Sequence, residues 1–141
     1  MREEYNQTKR ALKIILDSNA LFVPIELKMD IFEELNKLLK AKFEAVLLSP
    51  VRREIEKLAK EASPQVRRNA LYALKLAEKC NLMEIEEEPD ALPDDVIVEV
   101  AGKWGCPVFT NDRRLRRRLR DINVPVIYVR QKSRLEVDGR L

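Results

Sequence analysis

The sequence has no histidine, and that one absence removes several chemistries at once. Ser-His-Asp catalysis, Cys-His catalysis and histidine-based zinc hydrolysis all need an imidazole. Acid–base work in this chain falls to carboxylates, Lys, Tyr or a water activated by a metal. Cysteine is nearly as scarce: Cys80 and Cys106 make neither a disulfide framework nor a zinc set. Only 3 glycines are present, which excludes collagen-like and low-complexity classes. No apolar run reaches the ~18–20 residues of a membrane span. The stretch Leu12–Ile25 is interrupted by Lys13 and Asp17, so it is no signal-peptide core either. A cytoplasmic protein with no membrane role is the default expectation.

What is present in excess is charge. Charged residues reach 36%, against ~25% in an average domain. The net charge of +3 hides an asymmetry. Residues 113–141 hold 10 Lys and Arg against 3 Asp and Glu, whereas residues 1–112 hold 17 against 21. The segment Glu84–Glu99 carries eight acids and no base. A basic end beside an acid-rich middle suggests a polyanion partner near a cation site; a solvated surface of mixed charge is the plainer reading. The 141 residues suit one domain with an aliphatic core.

Short apolar runs alternate with helical patterns. KIIL (13–16), AVLL (45–48), LMEI (82–85), PVFT (107–110) and VPVIYV (124–129) read as buried strands. Between them lie an amphipathic helix beginning at Pro24, helices over about 50–62 and 64–79, one opened by Pro93 and ended by Gly105, and one over NDRRLRRRLRDI. Ser49-Pro50 and Ser63-Pro64 each read as a cap followed by proline in the first turn. Residues 1–12 read as a short helix or loose tail. The tail QKSRLEVDGRL holds the turn signal Asp138-Gly139 and is expected to form a hairpin-like end or stay flexible. Alternating strands and helices imply an α/β fold, a sandwich of helices around a central parallel sheet of four to five strands. Such sheets bind ligands at the carboxyl ends of their strands, near a topological switch point.

Acids stand where that rule points. Asp17 directly follows KIIL, Asp112 follows PVFT by one residue, and Asp94 and Asp95 open the helix after LMEI. Glu54 lies early in the helix after AVLL, roughly 75° from the centre of its apolar stripe, so it can turn towards the sheet edge. Each acid has a plainer role. Asp112 or Asn111 could cap the Arg-rich helix, Asp94 the helix before it, and Glu54 could be solvated. Asp17 is harder to dismiss, because an acid at the end of a buried strand is costly unless paired or bound to a cation. Clustered carboxylates raise one another's pKa, and hard oxygen ligands suit Mg²⁺ or Mn²⁺. RRLRRRLR (113–120) holds six arginines, with Leu115 and Leu119 anchoring one narrow face. Guanidinium groups fork onto phosphate and stack on unpaired bases. A solvated helix paired with Glu84–Asp90 is the competing reading.

LDSNALFVP, the Glu of VRREIEKL, DDVIVEVAGKWGCPVFTNDRRLRRRLR and VPVIYVR together resemble the PIN-domain nucleases. The likeness runs from about Lys13 to Arg130. It is greatest to the PIN endonucleases that process ribosomal RNA in the small-subunit processome and to their archaeal relatives; toxin nucleases share the fold. The resemblance implies a single three-layer α/β/α domain over 1–141, with 1–12 and 131–141 peripheral. It implies a metal-dependent endoribonuclease with one or two Mg²⁺ or Mn²⁺ ions, in RNA processing or as a toxin. Asp17, Glu54, Asp95 and Asp112 match the family's four acids, and Asp94 its auxiliary position, so that Asp17, Asp94, Asp95 and Asp112 are the implied metal ligands. Asn19 and Thr110 match its polar supports. Arg113, Arg114, Arg117 and Arg118 are expected to hold the RNA backbone. Implied partners are RNA, a small antitoxin or a pre-ribosomal particle, and a second copy in a homodimer. Two rivals stand beside this reading. One is a catalytically silent scaffold that kept the fold to bind RNA or assist ribosome assembly. The other is a receiver-like phosphoacceptor domain, disfavoured because Arg130 stands where that class wants a lysine.

Overall fold

The computed structural model describes residues 11–141; the expected helix or tail at the amino end falls almost wholly outside them. Six strands form one sheet: β1 (Leu12–Leu16), β2 (Phe43–Leu48), β3 (Asn81–Met83), β4 (Val108–Phe109), β5 (Val126–Arg130) and β6 (Arg134–Asp138). Their order is β3-β2-β1-β4-β5-β6. The first five run parallel and β6 is antiparallel to β5. Chain direction across the sheet reverses between β1 and β4, which makes that junction the switch point.

Six helices lie between the strands of the described region: α1 (Ser18–Leu27), α2 (Ile31–Leu39), α3 (Ser49–Glu61), α4 (Pro64–Ala77), α5 (Pro93–Trp104) and α6 (Arg113–Asp121). Adjacent strand residues point to opposite faces of a sheet. Ile14 and Ile15 on β1, and Val46 and Leu47 on β2, are all essentially solvent-free, so both faces are covered. That is the three-layer α/β/α arrangement.

Four local expectations change. The helix expected from Pro24 onward is two helices. Asp17 caps the first, and Pro24 lies inside it. Lys28 turns left-handed (φ 53°), and Asp30 starts the second by accepting from the N–H groups of Phe32 and Glu33 at 3.1 Å each. Ser49 does not cap α3. It is buried in the helix's first turn, and its Oγ accepts from Ile85 N at 2.9 Å. β3 ends at Met83 rather than 85, because its partner β2 ends at Leu48, paired with Met83, and beyond that pair Ile85 N bonds the Ser49 side chain instead. Finally, Asp138-Gly139 is not the hairpin turn. The chain reverses at Gln131 and Lys132, both left-handed (φ 53° and 58°), and residues 134–138 return as β6. The sheet therefore gains a sixth, antiparallel strand.

Leu115 and Leu119 are fully buried, as their spacing predicts, and anchor α6. Each contributes roughly 2–3 kcal/mol of apolar burial. The anchoring fixes where the arginines between them point.

Candidate active site

β1 ends in Asp17, which is 3% exposed. Its Oδ1 accepts from Ser18 N at 2.8 Å. Its Oδ2 accepts from Thr110 Oγ1 at 2.7 Å and from Asn19 Nδ2 at 2.8 Å. Thr110, at the end of β4, in turn accepts from Asn19 Nδ2 at 3.2 Å and from Asp112 N at 3.0 Å. Asn19 Oδ1 accepts from Asn111 N at 3.0 Å, and Asn111 Oδ1 accepts from Val129 N at 2.8 Å. One network thus ties the ends of β1, β4 and β5 across the switch point. Asn111 is its outermost link, a part that sequence reasoning saw only as a cap.

Asp112 caps α6, its Oδ1 accepting from Arg114 N at 2.8 Å and Leu115 N at 3.2 Å. Capping uses one of its oxygens; among the described residues the other has no hydrogen-bond or ion-pair partner. Asp94 does not cap α5: the residue at that position is Leu92. Instead Asp94 joins Glu54, Asp95, Asp112, Arg114 and Arg118 around a cleft of about 360 Å³. Asp17 does not line this cleft but feels its charge. Burial raises the Asp17 pKa to about 6; the Thr110 and Ser18 bonds oppose the rise, while Asp94 and Glu54 add to it. Asp94 is also shifted upward, by burial and then by the Asp112 charge, against the pull of Arg118; Asp95 adds to the rise and Arg114 opposes it.

The two neighbouring acids behave differently. Asp95 is exposed, and its Oδ1 forms an ion pair with Arg118 Nη2 at 2.8 Å. Asp94 is the member of the pair that raises the Asp17 pKa. The apolar stripe of α5 could have told them apart. Taking Ile97, Val100, Ala101 and Trp104 at 100° per residue, Asp94 falls roughly 70° from the stripe's centre and Asp95 roughly 170°. The first is a rim position and the second the outer face.

Among the described residues, no three acidic or thiol side chains are gathered closely enough to make a ready-made metal cage. Asp95 is taken by Arg118, one Asp112 oxygen by the helix end, and Asp17 by three donors. The donor set still fits a hard divalent cation. It is all carboxylate oxygen, and the charges of Asp94 and Glu54 on Asp17, and of Asp112 and Asp95 on Asp94, are a repulsion that a cation would relieve.

The arginines of α6 divide by position. Arg114 and Arg118 line the cleft. Arg116 and Arg120 point away from it and hold Asp138 of β6 at 2.9 and 3.2 Å. Arg116 also lies 3.8 Å above the Tyr128 ring. Arg113 and Arg117 are exposed and make no ion pair among the described residues. Of the other basic residues near the acids, Arg53 pairs with Glu87 and Arg52 with Glu56 at 3.8 Å, so neither extends the track freely.

A mostly parallel sheet with an acid-lined, arginine-flanked cleft beside its switch point defines the class: an α/β domain whose candidate site lies at the carboxyl ends of its strands. Comparison with known proteins makes this specific. A family model described as a PIN like domain matches residues 14–132, and the chain belongs to that family. It is 30% identical over 127 residues to Ribonuclease VapC4 of Methanocaldococcus jannaschii, covering 90% of this chain and 97% of that one. It is 28% identical over 138 residues to Ribonuclease VapC9 of Archaeoglobus fulgidus, covering 98% of each. The solved PIN domain endonuclease Utp24 superposes with a TM-score of 0.77 at 27% identity, over 92% of both chains. A domain of a functionally unknown protein from M. jannaschii matches with a TM-score of 0.63 at 17% identity, a likeness of fold alone.

Proposed function

We propose that the chain, as one PIN-like unit, is an endoribonuclease that uses Mg²⁺ or Mn²⁺. The observation that carries this is the cleft between α3, α5 and α6, where Glu54, Asp94 and Asp112 face Arg114 and Arg118. The ribonuclease and endonuclease names of its relatives support it. In this reading Asp17, Glu54, Asp94 and Asp112 hold one or two ions. Asp94 takes the principal place that the family resemblance assigns to Asp95. When bound, a divalent ion lowers the pKa of water and offsets charge on the phosphate. Asn19 and Thr110 fix the Asp17 carboxylate by hydrogen bonds, as outer supports of a metal ligand do. Arg114 and Arg118 grip the phosphate next to the acids, and Arg113 and Arg117 hold the strand beyond. Asp95 orients Arg118 through their ion pair.

The relatives support two settings, RNA processing and a toxin-type ribonuclease, with a pre-ribosomal particle or a small antitoxin as the respective partner. Among the described residues no helix is long and apolar enough to cross a membrane.

The test is cleavage of a labelled RNA by the purified chain, with Mn²⁺ and with EDTA. Cleavage should need the metal. Asp17→Asn and Asp94→Asn should each lower it at least a hundredfold, and Asp95→Asn by less than tenfold. RNA binding without cleavage in either condition would favour the silent scaffold instead.

A further inference from the structure

The acidic stretch Glu84–Glu99 is only partly used by the cleft. Asp94 and Asp95 serve there, while the loop from Ile85 to Ala91 builds something else. Together with α5 it borders a second groove of about 450 Å³. The groove's floor is apolar, made by Ile85, Ala91, Val96 and Val100. Trp104, 40% exposed, forms one end wall. The Lys13 ammonium lies 5.9 Å over one face of the ring, and the indole otherwise stays partly open to water beside buried valines.

The rim is acidic: Glu86, Glu87, Glu88, Asp95 and Glu99 against one base, Lys103. Two of these acids already accept guanidinium groups from outside the groove. Arg53 reaches Glu87, and Arg118 reaches Asp95 at 2.8 Å. Lys103 pairs with Glu99 at 3.6 Å along the helix. Glu86 and Glu88 are exposed and make no ion pair among the described residues. So the rim binds arginine where arginine reaches it, and two acids beside Trp104's groove stand free. RNA would be repelled here by the same charges. The complementary ligand is cationic with an apolar face.

We propose that this groove is a docking site for a basic peptide segment of a partner protein. An aliphatic side chain fills the floor, and Arg or Lys meets Glu86 and Glu88 on the rim. A segment seated there lies next to Asp95, which lines both the groove and the cleft. Docking is therefore positioned to be felt at Arg118.

The test reads Trp104 fluorescence in the full, metal-free chain without RNA, so it does not depend on nuclease activity. The probe is a hexapeptide alternating leucine and arginine, with its leucine–glutamate counterpart as control. The basic peptide should shift the emission saturably, and the acidic one should not. Glu86→Lys with Glu88→Lys should weaken binding at least tenfold and leave RNA cleavage unchanged. Glu56→Lys with Glu61→Lys, an equal charge change on α3, should weaken it less than twofold. No saturable shift, or equal loss in both double variants, overturns the proposal. So does self-association of the chain in sedimentation that the Glu86/Glu88 variant abolishes, because the groove would then belong to a second copy.

Discussion

Asp17 is held by three donors and still has a pKa raised to about 6, because burial and the Asp94 and Glu54 charges outweigh its hydrogen bonds. A carboxyl whose folded pKa exceeds its unfolded value of 3.8 costs stability once ionised. The cost is absent below pH 3.8, grows between 3.8 and about 6, and is fully present above that. Its upper bound is about 3 kcal/mol, at 1.36 kcal/mol per pKa unit. Asp17→Asn removes the charge but sets an amide N–H against Asn19 Nδ2, which offsets part of the gain. The variant should be more stable than the parent by roughly 1–2 kcal/mol at pH 8 without metal, and no more stable at pH 4. Urea unfolding at the two pH values checks this, and an equal difference at both would refute the electrostatic account. Asp17 is legible in the sequence because it directly follows a strand, where direction is fixed, whereas Asn19 and Thr110 are legible only through the family resemblance. The ranking of Asp94 and Asp95 was not legible from position after a strand. One step along a helix turns a side chain by 100°, and only the buried stripe of α5 says which acid faces in.

At the scale of elements, α6 and the β5–β6 hairpin act as one piece. Arg116 and Arg120 converge on Asp138. Gly139 follows with φ 105°, and a Cβ there would lie 2.5 Å from Arg120 Nη1 and 3.2 Å from Pro125 Cα. A side chain at 139 would thus face both a strained backbone and a guanidinium already committed to Asp138. Asp138→Ala should destabilise the fold by roughly 1–2 kcal/mol, the worth of one half-buried charge-assisted hydrogen bond from Arg116 and a half-buried ion pair with Arg120. Thermal unfolding measures it, and a loss under 0.3 kcal/mol, roughly the reproducibility of such comparisons, would mean the clasp is idle. The hairpin was legible only as an alternative. Gln131 and Lys132 carry the left-handed turn without any glycine, whereas the visible signal, Asp138-Gly139, serves the contact with Arg120 instead. In the same way the break between α1 and α2 rests on Lys28 adopting φ 53°, a conformation its side chain does not announce.

Across the whole molecule, the strand order explains how a chain of net −4 over residues 1–112 and +7 over 113–141 becomes a site rather than two unrelated surfaces. β1 and β4 are neighbours although 91 residues separate Asn19 from Thr110. The first acid and the basic helix therefore meet at one edge. Alternating strands and helices made the parallel sheet legible, but not that α6 would give two arginines to the hairpin and two to the cleft. This division sets the expected electrostatics of RNA binding. Arg113, Arg114 and Arg117 can be reversed to Glu while Arg118 keeps its bond to Asp95 and Leu115 and Leu119 keep α6 anchored. Each phosphate contact on a single strand contributes roughly 0.7 to the slope of log affinity against log salt. Losing three contacts should flatten that slope by about 2 and weaken binding alike for unrelated RNA sequences, because backbone contacts position without specifying bases. Binding isotherms between 50 and 200 mM salt, roughly the range over which such contacts are felt, measure the change. A folded triple variant with the parent's affinity and slope would show that these arginines only face water.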